Sequence, residues 1–419
     1  MPGGTVLDGA ETREMVGAGH VQETGSAQAR FAARRQRWCF FSPGNRSLAV
    51  LGGDSRSSGG AEAQVAHLAA AMANCGHRVT LIYGDGGQRN PPRELADVTC
   101  IDAAPLWRQP SSLAAFWRVL GEAAPDVVYA RLPSDFLALL GALGGLERRA
   151  RFLYALAHDD HCRPWSAYAY KRWLHAPLYA LGLRSADAIL VQHEDQRALL
   201  APRLRSRAMH VPNLVRSFAS SPRSFEDTAI DAVWVAQIRP EKRLDRFLDL
   251  AASAPDLRCS VIGGFDPTLP PSCRVALETR MLSLGNVTYR GPEPADVVMS
   301  LIARSKVLVN TSSGEGFPNT MLEAWSLGVP VVSLSVDPGG VVAAHGIGRV
   351  SGADDRLRSD VCALASSGPL NQAMGARALA YVQDRHSLAA VRAALARAIP
   401  GSSTPTAAGR AEPSPETLS

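Results

Sequence analysis

The sequence predicts an α/β protein made of two consecutive doubly wound domains with an interdomain cleft. Three observations carry that expectation. At 419 residues the chain is too long for a single hydrophobic core, since domains run to roughly 100–200 residues. Short, nearly continuous apolar runs alternate with stretches of helical periodicity, which is the pattern of a parallel sheet covered on both faces. The alternation stops at 214–229 (LVRSFASSPRSFEDTA), a polar stretch with a proline, and then restarts. That break reads as an interdomain linker.

Taken in order, residues 1–35 lack apolar periodicity and read as a disordered tail. The first domain is expected over 36–215. WCFF (38–41) is its first strand, and a Gly/Ser-rich loop ending in GGAE (59–62) follows. The next segment places Ala61, Val65, Leu68, Ala69 and Met72 on one helical face, and Gly76 stops it. HRVTLIYG (77–84), DVVYAR (126–131), RFLYALAHD (151–159), DAILVQ (187–192) and MHVPN (209–213) are further strands, most with a helical stretch before the next. The second domain is expected over 228–380. It runs AVWVAQI (232–238), helix 243–253, LRCSVIGG (257–264), NVTYRG (286–291), helix 294–304, KVLVNTS (306–312), helix 318–327 and VPVVSLS (329–335). A helix at 381–400 comes next, and 401–419 (GSSTPTAAGRAEPSPETLS) reads as a second disordered tail. Ligands of such sheets bind beyond the carboxyl ends of the strands, so the cleft between domains is the expected site.

Composition narrows the function classes. With 46% hydrophobic and 20% charged residues the chain is ordinary for a globular protein and cannot be wholly disordered. The longest uncharged apolar stretch, Phe136 to Leu146, falls short of the roughly 20 residues of a membrane-spanning helix. Asp8, Glu11, Arg13 and Glu14 interrupt the first twenty residues, so no secretory signal is expected. The net charge of +5 is mild and its cations are spread among 39 acids, which argues against a nucleic-acid partner. The seven cysteines (Cys39, Cys75, Cys100, Cys162, Cys259, Cys273 and Cys362) have neither zinc nor redox spacing and read as reduced thiols of a cytoplasmic protein.

Residues 306–335, KVLVNTSSGEGFPNTMLEAWSLGVPVVSLS, carry most of the chemistry. A strand runs into SSGEGF, whose glycines permit a tight turn and close backbone approach to a ligand. Pro318 suits the first helical position, where a missing N–H costs nothing. The N–H groups of Asn319 and Thr320 then lie in the first turn without intrahelical partners and, with the helix dipole, form an anion site suited to phosphate. Glu315 precedes that turn and Glu323 lies about a turn and a half into the helix, so two carboxylates flank it. One can take hydroxyls of a sugar and the other those of a ribose. A bare pair of glutamates at this spacing is common by chance; the flanking strands, glycines and proline make it specific.

The whole run resembles the donor-site signature of retaining glycosyltransferase family 4, group 1 glycosyltransferases of the GT-B fold with two Rossmann-like domains. The resemblance implies that Glu315 lies by the donor sugar, that the backbone after it (Gly316, Phe317, Asn319, Thr320) holds sugar and phosphate, and that Glu323 binds the nucleotide ribose. Many members carry Gly where this chain has Pro318, which removes one donor N–H. A second block, AQIRPEKRLDRFLDLA (236–251), is similar to the family motif G-R-L-x-x-E-K-G, whose cations neutralise the donor pyrophosphate. Lys242 falls on the family lysine and Gln237 on the family arginine, with Arg239 two residues on as the replacement cation. In RFLYALAHDDHC (151–162), His158 resembles the family histidine near the reacting sugar. Asp159, Asp160 and His161 follow it and are metal-ligand types, but neighbours along a strand point to opposite faces and the family is generally metal-independent, so no metal is expected. Gly60, in GGAE, resembles the family's N-terminal glycine motif at another free helix N-terminus. The long loop from Ser42 to Ser58 would shape the acceptor pocket. YVQDRHSLAAVRAAL (381–395) resembles the terminal helix that crosses back to the first domain. The likeness covers roughly 38–400, weakly in the first domain and strongly from 232 to 335.

The implied activity is retaining transfer of a sugar from a UDP- or GDP-linked donor to an acceptor hydroxyl, in bacterial polysaccharide, lipopolysaccharide or glycolipid assembly, with no cofactor. His158, Glu315 and Lys242 are the expected catalytic residues; the acceptor is a saccharide or lipid-linked. A GT-B sugar-nucleotide epimerase and a non-catalytic nucleotide-sugar-binding scaffold are the alternatives, the latter because of Gln237 and Pro318. A dinucleotide oxidoreductase is disfavoured, as no G-x-G-x-x-G follows a strand. CRPWSAYAYKRWLHAPLYALGLR (162–184) interleaves basic and aromatic residues and is a candidate for peripheral contact with the cytoplasmic face of a membrane.

Overall fold

The computed structural model describes residues 35–54, 59–84, 93–102, 111–134, 137–147, 150–166, 175–216, 218–219 and 223–399. The expected tails, apart from Arg35, and residues 167–174 of the basic-aromatic stretch lie outside them.

The first domain is built on an eight-stranded sheet. Its strands are β1 (Arg37–Ser42), β2 (Arg78–Tyr83), β3 (Arg93–Leu95), β4 (Val98–Asp102), β5 (Val127–Ala130), β6 (Arg151–Ala155), β7 (Ala188–Val191) and β8 (Ala208–His210), in the order β3-β4-β2-β1-β5-β6-β7-β8. All neighbours pair in parallel except β3, which runs antiparallel to β4 at the edge. The second sheet comprises β9 (Ile230–Val235), β10 (Cys259–Ile262), β11 (Val287–Gly291), β12 (Ser305–Asn310), β13 (Val331–Ser333) and β14 (Gly348–Val350), ordered β11-β10-β9-β12-β13-β14 and wholly parallel. In each sheet the order reverses beside the first strand of the domain, which opens a crevice at the carboxyl ends.

Three elements escape the periodicity. β3, β4 and β14 are short, and VTCID alternates apolar with polar residues over only five positions. The Gly/Ser-rich loop after β1 also contains a helix, Arg46–Leu51.

Helices cover both faces. Val65, Leu68, Ala69 and Met72 of the Gly60–Asn74 helix are buried against Trp38, Phe40, Leu81 and Leu153. The same cluster takes in Val391, Ala394 and Leu395 of the Leu388–Ala398 helix, so the chain's last helix packs on the first domain. The preceding helix, Gly368–Arg385, belongs to the second domain, where Ala378 and Val382 join Trp325 and Val331. The chain therefore crosses between domains twice, at 213–215 and again at His386. The two crossings are tied: the Val215 N–H donates to the His386 carbonyl (3.0 Å) and His386 Nδ1 donates to the Asn213 carbonyl (2.9 Å). Beyond the first crossing the chain does not float free, because the Arg223 guanidinium donates to the Ser305 carbonyl at 2.6 Å. All seven cysteines are free thiols.

Candidate active site

The chemistry-bearing block of the second domain is assembled from β9 and β12. β9 exits into the short 3-10 turn Pro240–Lys242, and β12 exits into the glycine loop. Thr311, at the end of β12, clasps the two exits together: its hydroxyl donates to the Lys242 carbonyl (2.8 Å) and accepts from the Trp234 indole (2.9 Å). The Ser313 N–H donates to the Glu241 carbonyl at 2.9 Å. Behind this turn Gly263 has φ +140, and a Cβ there would lie 1.8 Å from the Ala236 carbonyl oxygen. The glycine of the E-K-G motif falls on Arg243, which adopts the left-handed conformation (φ 51°, ψ 50°) and pairs with Asp245. The turn is thus the one the motif requires, made without its glycine.

This clasp brings Lys242 and Glu315, 73 residues apart, into an ion pair. Both side chains are largely buried, and the Ser312 hydroxyl donates to Glu315 Oε1 at 2.8 Å. Arg239 is turned toward Glu241, its Nε 3.3 Å from Oε1.

The helix after the glycine loop starts one residue later than the sequence suggests. Pro318 is its N-cap (φ −63°, ψ 122°) and the helix spans Asn319–Ser326, so Asn319 takes the first helical position. Met321 and Leu322 both donate to the Pro318 carbonyl, at 3.2 and 3.4 Å. The N–H groups of Asn319 and Thr320 have no partner among the described residues. Phe317 differs from the expectation: its N–H is taken by Gln192 Oε1 (3.1 Å), and its ring packs edge-on to Trp325 and His386. Glu323 is half-buried on this helix, and desolvation pushes its carboxyl up to about 7.

A second helix N-terminus meets the first. Asn319 Nδ2 donates to the Gly60 carbonyl at 2.8 Å, and a Cβ on Gly60 would lie 2.9 Å from that nitrogen. The positive ends of the Gly60–Asn74 and Asn319–Ser326 helices therefore abut across the cleft. Two like ends repel unless an anion lies between them.

His158 follows β6 and caps the 3-10 turn Asp159–Cys162, so it and its acidic neighbours lie in a turn and not along a strand. Its Nδ1 accepts the Asp160 N–H at 3.1 Å, which places the proton of the neutral ring on Nε2. His161 points inward, and burial drives its ring down to about 3. The neighbouring Ala157 carbonyl backs the glycine loop: a Cβ on Gly316 would lie 2.6 Å from it and 2.2 Å from Gln192 Oε1. Among the described residues no group of three or more His, Cys, Asp or Glu is placed to hold a metal.

Residues absent from the motifs complete the site. Asn213 is the hub: its Oδ1 accepts from Arg131 (2.7 Å) and Gln192 (3.0 Å), and its Nδ2 donates to Asn319 Oδ1 (3.1 Å) and the Phe317 carbonyl (3.3 Å). Gln64 holds both backbone groups of Leu214, at 3.0 and 2.9 Å. His193 is buried 3.2 Å from Asp159, under Gly339 of the second domain.

The raised Glu323 carboxyl has a consequence for stability. Its folded value of about 7 exceeds the ordinary 4.5, so between these limits the folded chain holds a proton the unfolded chain has lost. This group's stabilisation is full below about 4.5 and is lost as pH rises through about 7. From pH 5 to 8 the native protein should lose more stability than Glu323→Gln, by on the order of 2–3 kcal/mol. Urea midpoints at the two pH values check this; equal losses would contradict it.

Residues 59–213 match the family model described as a glycosyl transferase 4-like domain, and residues 229–366 match glycosyl transferases group 1. No curated protein matches the chain. Among solved structures, sucrose-phosphate synthase from Thermosynechococcus elongatus aligns at TM-score 0.67 and 16% identity, over 87% of this chain and 98% of that one. Anabaena HepE in complex with UDP and glucose aligns at TM-score 0.64 and 15% identity, over 87% and 99%. WaaG, a glycosyltransferase involved in lipopolysaccharide biosynthesis, aligns at TM-score 0.58 and 17% identity, over 87% and 100%. At these identities the likeness is one of fold.

Proposed function

The chain belongs to the group 1 glycosyltransferases and has the GT-B fold, and on that premise we propose that it moves a sugar from a nucleoside diphosphate sugar to an acceptor hydroxyl with retention of configuration. The observation that carries this reading is the meeting of two helix N-termini at Gly60 and Asn319, beside the Lys242–Glu315 pair. Two unpaired N–H groups, two helix dipoles and a lysine converge where a diphosphate would sit. UDP- and GDP-linked sugars are among the donors with that group.

In the donor complex Lys242 exchanges Glu315 for diphosphate oxygens, and Glu315 turns to the sugar hydroxyls. Arg239 adds a second cation in place of the arginine lost at Gln237. This reading assigns neutralisation of the leaving group to those cations and to the helix ends, with no call for a metal. The bond between the anomeric carbon and the phosphate oxygen breaks as the acceptor oxygen closes on the same face. The acceptor proton passes to the departing phosphate oxygen. His158 donates a hydrogen bond from its Nε2–H to the sugar. Glu323 accepts the ribose hydroxyls through its carboxyl oxygens.

The acceptor is a saccharide or glycolipid at the cytoplasmic face of a membrane. Among the described residues no helix is long and apolar enough to cross one. Trp165, Leu178 and Leu181 are exposed (71%, 44% and 52%), as are Arg163 and Arg184, a mix of residue types suited to peripheral contact with anionic lipid. Co-sedimentation with vesicles should require anionic lipid and weaken in Trp165→Ala; binding indifferent to lipid charge would count against it. For the transfer itself, the anomeric configuration of the product, read by NMR, should match that of the donor. An inverted product would remove the retaining assignment, and donor consumed without any acceptor would favour an epimerase.

A further inference from the structure

A small cavity that the transfer chemistry does not use lies inside the first domain beneath the crossing at 213–215. Tyr129, Arg131, Gln64 and Gln192 give it polar groups, and Leu68, Leu156 and Val391 are among its apolar walls. Its free space is small, about 10 Å³.

Arg131 is only 6% exposed, yet no carboxylate pairs with it among the described residues. A guanidinium carries five N–H donors. Two are used, one on Asn213 Oδ1 at 2.7 Å and one on the Tyr129 hydroxyl at 3.4 Å, and the buried Nε–H has no acceptor. The Tyr129 oxygen accepts from Arg131, and its own O–H has no acceptor among the described residues. The cavity is thus lined by a full positive charge with two unmatched donors. A water would satisfy one or both donors but would leave the buried charge uncompensated, and an unpaired buried charge is far costlier than an unmade hydrogen bond.

We propose that this cavity is a binding site for a small monovalent anion, chloride in the cell, held by Arg131 Nε–H and the Tyr129 hydroxyl. The anion neutralises the guanidinium whose other arm fixes Asn213, the hub joining the first domain to Phe317 and Asn319, so halide binding supports the closed arrangement of the two domains.

Thermal unfolding at constant ionic strength, with gluconate replaced stepwise by chloride or bromide, tests the site. The melting temperature of the native protein should rise by a few degrees and saturate with either halide. Arg131→Gln should abolish the rise. Tyr129→Phe, which removes one donor and little volume, should shift half-saturation to higher halide and carries the test if the arginine variant does not fold. No halide-specific rise in the native protein, or the same rise in the variants, would overturn the proposal and leave the cavity to a water.

Discussion

Lys242→Ala is expected to lower turnover about 100- to 1000-fold, the usual effect of deleting one preorganised group that stabilises developing negative charge. The lysine sits on a turn held by backbone and threonine contacts that do not use its ammonium group. Its removal leaves Glu315 with the Ser312 hydroxyl but without its cation, so some stability is lost, while turnover should fall far more than folding is affected. A merely structural lysine would show the opposite split, with stability lost and turnover kept. Lys242→Arg should recover part of the rate because the charge returns without the ammonium geometry. Steady-state rates and melting curves on the three proteins decide the matter.

The second large effect is expected at Gly316. A methyl group there would meet the Ala157 carbonyl at 2.6 Å and the Gln192 side chain at 2.2 Å. The glutamine can rotate away, but the carbonyl is backbone at the end of β6 and cannot. Gly316→Ala should therefore hold the donor loop off the first domain, break the Gln192–Phe317 hydrogen bond and misplace Glu315 and His158 relative to each other. A displacement of about 1 Å in a site of this kind costs about 100-fold in rate. The donor half itself is unstrained by the change, so the nucleotide should still bind. A variant with native turnover would show that the loop need not close against β6.

Much of this arrangement is legible in the sequence because the residues concerned are close along it. Glu315, Asn319, Thr320 and Glu323 fall within one strand–loop–helix unit, and Lys242 lies three residues into a recognisable strand exit. The long apolar strands are legible for a related reason, since a strand buried on both faces has no polar side to confuse its reading. What the sequence hides is the contact between domains. Gln64 and Asn319 are separated by 255 residues and Asn213 and Asn319 by 106, so no local spacing links them. Asn213 reads as the last residue of the expected strand MHVPN (209–213), whereas the strand ends at His210, and only the fold reveals Asn213 as a hub. His386 falls inside the single helix expected over 381–400, while in the structure it ends the Gly368–Arg385 helix and ties the two chain crossings. Pro318 is misread by one position because N-cap and first-turn prolines share the same φ, and only ψ separates them.

The central claim is that a diphosphate sits between the Gly60 and Asn319 helix ends. Titration with UDP, GDP and ADP, each set against its parent nucleoside and followed by thermal unfolding in EDTA, tests it most directly. One diphosphate should raise the melting temperature strongly, its nucleoside should do so weakly or not at all, and Lys242→Ala should lose most of the difference. Equal stabilisation by nucleoside and diphosphate, or none by any of them, would contradict the assignment of this cleft as a nucleotide-sugar site.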